Sequence, residues 1–515
     1  VRKRSEFICL LVLGAVIIIS VLAIFESEPT VTTGKGSNLK SHFKMVVPKL
    51  MNKYKVPGVA VAFIDKGETT RVQSYGWEDI EAKKGVTEDT VFQVASNSKT
   101  LTAWGVMKLV EDGKLELDAP VEKYLTRFQL PDSKFDHNQV TIRRILSHTA
   151  GLSVRGYPGY HPGDRLPGLE DSLSGKYSEL TKVKVVFKPG IKYKYSGGGY
   201  TLLQLVIEEV TGKPFSRYME DEILRPLGME NSSFEWRTDL QVKTAKAYDV
   251  LGFPLPNYLF TEKAAAGLYT TAPDFARFVA ANLDNPKEDS LRSNLIGKST
   301  LSLMYTPVKK DYGLGYIVKR LPNGRRLIYH GGSNRGWRSQ FALLPESGNG
   351  LVILTNSENG YKLHRDLVSL WTKWETGFYP QYHLIDVTLR ILIKALALMT
   401  ILYLIIRVFY VVKKLIKRKL LIGFNKQAFS RKKLMIMVKA FIPLVLSFIW
   451  WIVFYTGFLY NGWTFASFMP DGFFGLTLTV FVRSLLMFLN LIFVHDQLCF
   501  SHSISVEGVR SSCKK

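Results

Sequence analysis

Hydrophobic positions along the chain fall into three regimes. An unbroken apolar run from Phe7 to Phe25 follows Arg2-Lys3-Arg4 and meets Glu26-Ser27-Glu28-Pro29. Three more long apolar spans lie near the other end, at about Ile391–Val412, Leu434–Tyr455 and Phe473–Val494. Between these extremes the pattern shortens to the scale of a folded domain. Gly58–Ile64 reads as a strand, Lys66-Gly67 as a turn and Thr70–Tyr75 as the returning strand. Leu101, Trp104, Met107, Leu109 and Val110 are spaced for the buried face of a helix, with Gly113 as its stop. A second helix spans Leu202–Val210 and stops at Thr211-Gly212. Gly315–Lys319, Arg326–His330, Gln340–Leu344 and Gly350–Leu354 read as strands, with turns at Asn323-Gly324 and Gly348-Asn349-Gly350. Strands at both ends with helices between them predict an α+β domain. In it, one antiparallel sheet is assembled from both ends of the segment, flanked by helices and joined to an all-helical subdomain.

The terminal runs predict a membrane topology. Residues 1–29 read as a signal peptide or signal anchor, and no small-x-small cleavage site follows, which favours the anchor. The loop 413–433 carries nine Lys/Arg and no acid, so it is expected to be cytoplasmic. That orientation makes residues 387–500 three transmembrane helices and 501–515 a cytoplasmic tail. It places residues 40–380 outside the membrane, with the bacterial cell membrane as the expected location. The net charge of +24 fits the same picture, because residues 387–515 hold 17 Lys/Arg against 3 Asp/Glu, interleaved with apolar runs. This is not the footprint of a nucleic-acid binder. The three cysteines, Cys9, Cys499 and Cys513, leave the middle region without an internal disulfide or a thiolate nucleophile. The nine histidines form no metal-ligand spacing, so neither a metal nor a cofactor is expected.

Candidate chemistry enters at Ser96-Asn97-Ser98-Lys99. Ser-x-x-Lys occurs six times in the chain and proves little alone. The Ser96 copy differs in context: apolar Val91–Val94 precedes it and the helix pattern follows at once. Ser96 is thus expected at a helix N-terminus, where free N–H groups favour developing negative charge. Lys99, three residues on, falls on the same face and within reach of the hydroxyl. Two further segments stand out: Tyr195-Ser196-Gly197-Gly198-Gly199 ahead of the second helix, and His330-Gly331-Gly332-Ser333-Asn334 at a strand end. Neither has the spacing of a nucleotide-binding loop.

Together these segments resemble the serine β-lactamase and penicillin-binding-protein superfamily, on its class C-like side. The likeness runs over about residues 45–370. It includes Leu146-Ser147-His148-Thr149-Ala150-Gly151-Leu152, Lys188-Pro189-Gly190, Leu224-Arg225-Pro226-Leu227-Gly228-Met229 and Ala266-Gly267-Leu268-Tyr269-Thr270-Thr271 in order. The resemblance implies Ser96 as nucleophile, Lys99 as its activator and Tyr195 as a proton relay. It implies the backbone N–H groups of Ser96 and Ser333 as an oxyanion hole, with His330, Gly332, Ser333 and Asn334 lining the substrate. One departure is Gly197, where the family's Tyr-x-Asn motif has asparagine. The expected activity is an acyl-enzyme hydrolase acting on amide bonds beside D-amino acids, in small peptides or peptidoglycan-derived substrates, with β-lactams as a further substrate class. The layout of one N-terminal signal, this domain and three C-terminal spans is similar to that of colibactin-maturing-type membrane peptidases. That likeness implies the alternative of a nonribosomal-peptide prodrug peptidase. A β-lactamase, an esterase and a non-catalytic cell-wall sensor are further alternatives.

Overall fold

A computed structural model describes residues 39–283, 295–416, 420–422, 438, 442, 445 and 494–496. Pro29–His383 form one compact unit, which contains the sheet and the candidate site; residues 1–28 and 384–515 form the other.

The first unit opens with helix α1 (Leu39–Tyr54). Strands β1 (Gly58–Asp65), β2 (Glu68–Asp79), β3 (Lys84–Gly85) and β4 (Phe92–Gln93) follow, then helix α2 (Ser98–Glu111). The middle of the chain supplies helices α3 (Gly197–Thr211), α4 (Lys263–Ala266) and α5 (Ala272–Ala281), with strand β5 (Tyr269–Thr270) before α5. Strands β6 (Ile317–Arg320), β7 (Arg326–Asn334), β8 (Trp337–Leu344) and β9 (Asn349–Thr355) lead into helix α6 (Gly360–Thr376).

Seven strands form one sheet in the order β3-β2-β1-β9-β8-β7-β6. Its neighbours pair antiparallel, and β1 meets β9 with Val61 opposite Ile353 and Ala62 opposite Val352. The two ends of the unit are therefore joined at the centre of the sheet, as the strand pattern predicts. The period of two divides its core. Val59, Val61 and Phe63 of β1, with Leu351 and Ile353 of β9, pack against Phe43 and Val47 of α1 and Leu367 and Trp371 of α6. Ala60, Ala62 and Ile64, with Val352 and Leu354, face the opposite layer, which contains Trp104 of α2 and Phe275 and Phe278 of α5. Because helices cover both faces, β1 is buried from Gly58 to Ile64, so its sequence is continuously apolar rather than alternating.

The expected transmembrane helices are corrected by the structure. Among the described residues, no helix is long and apolar enough to cross a membrane. Helix α7 (Gln381–Ile416) covers the first expected C-terminal span. Arg390, Lys394 and Arg407 interrupt it, so its longest charge-free stretch, Ala395–Ile406, has 12 residues. A bilayer core needs about 20. The expected segments 1–29 and 501–515 lie outside the described residues, as do 14 of the 21 residues of the loop 413–433 and almost all of the spans 434–455 and 473–494.

Candidate active site

Ser96 sits in a tight turn between β4 and α2, one step before the helix begins. Residues Ala95–Asn97 form a 3₁₀ turn and the α-helix starts at Ser98, so the expected helix N-terminus is displaced by two residues. Long-range contacts fix the turn. Val94 N–H donates to Leu268 O (3.0 Å), and Val94 O accepts from the Ser339 hydroxyl (2.6 Å). The Leu268 N–H donates to Ser98 Oγ (3.0 Å), and Asn97 Nδ2 donates to Ser339 Oγ (2.8 Å). Ala95 holds φ at +50°, a left-handed conformation that side chains other than glycine rarely adopt. From Val91 to Met107, Ser96 alone is not buried. The turn thus pushes one hydroxyl out of an otherwise sealed segment.

Lys99 is 2 % exposed. Its Nζ donates to Ser96 Oγ (3.2 Å) and to the carbonyl of Ala265 (2.6 Å) on α4. Helix α3 steadies that carbonyl's segment: Gln204 accepts from Ala264 N–H and donates to Thr261 O. No carboxylate pairs with the ammonium, and burial lowers its pKa from 10.5 to about 7. The free-amine fraction at neutral pH therefore rises from about one in three thousand to about a half.

Tyr195 approaches from the start of α3, where Ser196 caps the helix by accepting from Gly199 N–H (3.0 Å). The ring centroid lies 5.1 Å from Lys99 Nζ, and the Ser96 hydroxyl acts on the phenol, opposing the effect of burial. Burial raises the Tyr195 pKa, so the group stays a neutral phenol at physiological pH. The three residues singled out from sequence are therefore brought together.

The β7 residues divide. Gly332 backs onto the serine turn: a Cβ there would lie 2.1 Å from Val94 O and 2.4 Å from Ser339 Oγ. Ser333 follows at the partly exposed strand edge, paired with Arg338 on β8. Sequence marks this glycine pair as a strand end, whereas the strand continues to Asn334. Asn334 is buried, with Nδ2 donating to Gln93 Oε1 (2.8 Å) and to Ala266 O (3.2 Å), so its amide nitrogen is committed within the protein. His330 is 2 % exposed and its Nε2 bonds to the Tyr312 hydroxyl (2.9 Å). At Gly197, a Cβ would stand 3.2 Å from Arg155 O and 3.3 Å from Tyr157 Cε2. The loop 155–157 therefore crowds the position where the family's asparagine side chain begins.

Sequence reasoning gave no role to Ala265, His148 or Tyr312. His148 lay inside a quoted landmark, and Tyr312 stands in the glycine-aromatic run Tyr312-Gly313-Leu314-Gly315-Tyr316. Nothing in local spacing connects either residue to His330.

The Beta-lactamase family profile matches residues 43–369, well over half of the chain. The chain belongs to the beta-lactamase family. Its members are serine β-lactamase- and penicillin-binding-protein-like hydrolases, and the superfamily resemblance read from the motifs is therefore correct. Among curated relatives, it is 25 % identical over 322 residues to protein flp of Staphylococcus aureus, covering 60 % of this chain and 62 % of that protein. The chain thus spans less than two thirds of the length of that relative. It is 27 % identical over 354 residues to a beta-lactamase of Pseudomonas fluorescens, covering 62 % of this chain and 94 % of the relative. Among solved structures, an octameric penicillin-binding protein homologue from Pyrococcus abyssi superposes with a TM-score of 0.54 at 27 % identity, covering 62 % of this chain and 74 % of the other.

Proposed function

We propose that this member of the family is a serine acyl-transfer hydrolase that cleaves amide bonds beside D-amino acids and works outside the cytoplasm. One observation carries the reading: a buried lysine without a carboxylate partner, its pKa near 7, donates to the single serine that its segment exposes. In the free-amine form Lys99 takes the Ser96 hydroxyl proton as Oγ attacks the substrate carbonyl. The backbone N–H groups of Ser96 and Ser333 receive the oxyanion, a contribution whose loss costs about 10²–10³ in rate. The Tyr195 phenol gives its proton to the leaving nitrogen and is reprotonated by the Lys99 ammonium. Water then attacks the acyl-enzyme by the same route in reverse.

The choice of amide rather than ester rests on the proton path. A leaving amine must be protonated, and Tyr195 is a neutral phenol beside Ser96. An N-acyl-D-asparagine leader has less support, because Asn334 is tied to Gln93 and Ala266.

The test is covalent labelling of the full chain with a fluorescent penicillin and a fluorophosphonate. Turnover is measured in parallel on D-Ala-D-Ala peptides, acyl-D-Asn amides and a chromogenic cephalosporin. Ser96→Ala is expected to abolish labelling and turnover without changing the melting temperature by more than a few degrees. Undiminished hydrolysis by Ser96→Ala would refute the assignment. Turnover of esters alone would refute the amide reading and keep the nucleophile.

A further inference from the structure

His148, Tyr312 and His330 lie behind Tyr195 in one hydrogen-bonded line. Tyr312 Oη is 3.2 Å from His148 Nε2 and 2.9 Å from His330 Nε2. At the far end, the Ser196 backbone N–H donates to His148 Nδ1 (3.1 Å). All three side chains are buried, and the His148 ring lies 4.3 Å from that of Tyr195.

The backbone amide gives this line a direction. An amide N–H only donates, so His148 Nδ1 accepts and carries no proton. A neutral imidazole then holds its proton on Nε2, which donates to the Tyr312 oxygen. The phenol has one proton, and it is left to donate to His330 Nε2. That nitrogen accepts, so the His330 proton sits on Nδ1, an atom sealed from solvent that has only the neighbouring Gly331 backbone beside it. The reverse orientation would need His148 to accept at both nitrogens, which requires an imidazolate. An imidazolium at His330 is excluded for the same reason, since its Nε2–H would meet a phenol whose own proton has no acceptor.

We propose that Tyr312 and His148 are positioning residues that lock His330 in the Nδ1–H tautomer and keep it neutral at the rear of the site. The tautomer follows from the hydrogen bonds and does not rest on the site's assignment. The surroundings agree. Lys99 faces both histidines, Tyr193, Tyr195 and Tyr200 pack on His148, and Tyr193 also packs on Tyr312. No carboxylate appears among these neighbours. Burial and the Lys99 charge hold His330 down to about 3 and His148 well below its usual range.

The experiment is long-range ¹H–¹⁵N correlation NMR on the full chain labelled with ¹⁵N-histidine, with resonances assigned through His148→Gln and His330→Gln. In the wild type His148 is expected as Nε2–H and His330 as Nδ1–H, both unchanged as pH crosses 6.5. In Tyr312→Phe, His330 is expected to lose its single tautomer, while His148 keeps Nε2–H because Ser196 still donates to it. An Nε2–H or imidazolium signal for His330 in the wild type overturns the proposal, whether or not the variant folds. An unchanged His330 in a folded Tyr312→Phe overturns it equally. None of these outcomes depends on labelling at Ser96. Failure of the acyl-transfer reading, seen as labelling that survives Ser96→Ala, is therefore separable.

Discussion

At the scale of single residues, Lys99 sets the pH behaviour. Its pKa near 7 comes from burial, and neither of its hydrogen-bond partners is an acid. The base form is needed for attack, so kcat/KM is expected to fall about tenfold per pH unit below about 7. A pH–rate profile on any substrate that turns over checks this; a flat acid limb down to pH ~5 contradicts it. The same shift has a consequence for stability. Between about 7 and 10.5 the folded state holds fewer protons at Lys99 than the unfolded chain does. The wild type therefore gains stability, relative to Lys99→Met, as pH rises through that window, by up to about 1.4 kcal/mol per unit. Paired urea unfolding at pH ~7 and ~9.5 measures the difference. Wild-type stability that does not rise relative to Lys99→Met between those pH values would place the lysine outside a desolvated site.

At the scale of elements, the serine turn and the end of β7 are shaped to each other. Gly332 leaves no room for a Cβ because Val94 O, a backbone atom, stands 2.1 Å from its ideal position. Gly332→Ala is expected to displace the turn and slow acylation of Ser96 by about 10² or more, the cost of a misplaced oxyanion donor. Gly331→Ala is the control, because its Cβ would meet only the flexible end of Gln340 at 3.2 Å. Stopped-flow acylation by the chromogenic cephalosporin compares the two; equal rates would break the link between close approach and function. This contact also marks the limit of what sequence could reveal. Ser96 and Lys99 were legible because three residues along a helix are neighbours, and Tyr195 only through the family resemblance of its segment. The sheet was legible because its strands are short, apolar and bounded by turns. The glycine pair at 331–332 was misread as a strand end, because its reason is an approach by residues more than two hundred positions away. The Asn334–Gln93 bond and the Lys99–Ala265 bond span 241 and 166 positions, and no periodicity encodes them. The expected transmembrane helices are a separate miss: apolar runs alone marked them, whereas no helix among the described residues is long and apolar enough to cross a membrane.

At the scale of the whole molecule, the sheet separates two layers with different duties. The layer of α2, α3 and α5 carries the site, and the layer of α1 and α6 closes the opposite face. His364 of α6 belongs to the second. Its Nε2 lies 3.2 Å from Thr355 Oγ1, whose own proton goes to Arg338 O, so the imidazole donates to that oxygen. Arg338 is buried nearby, and burial together with that guanidinium lowers the His364 pKa to about 3. The unfolded chain binds a proton at this residue near 6.5, whereas the folded chain resists it until about 3. The stability contributed by a neutral His364 is therefore fully present above about 6.5 and is lost as pH falls toward 3. The carboxyls of Glu262, Glu358 and Glu375 act in the opposite sense, because burial raises them and protonation favours their folded form. A bare acid-unfolding curve mixes the two. Comparison of the wild type with His364→Gln isolates the histidine. The variant is expected to be less stable at pH ~7, through the lost fit and hydrogen bond, and to close the gap by up to about 1.4 kcal/mol per unit as pH falls. Penicillin labelling of Ser96 at neutral pH is expected to stay intact in this variant, since His364 lies in the layer away from the serine. If the stability gap instead stays constant with acid, His364 titrates normally in the folded state, and the closed second layer is more open to water than its packing indicates.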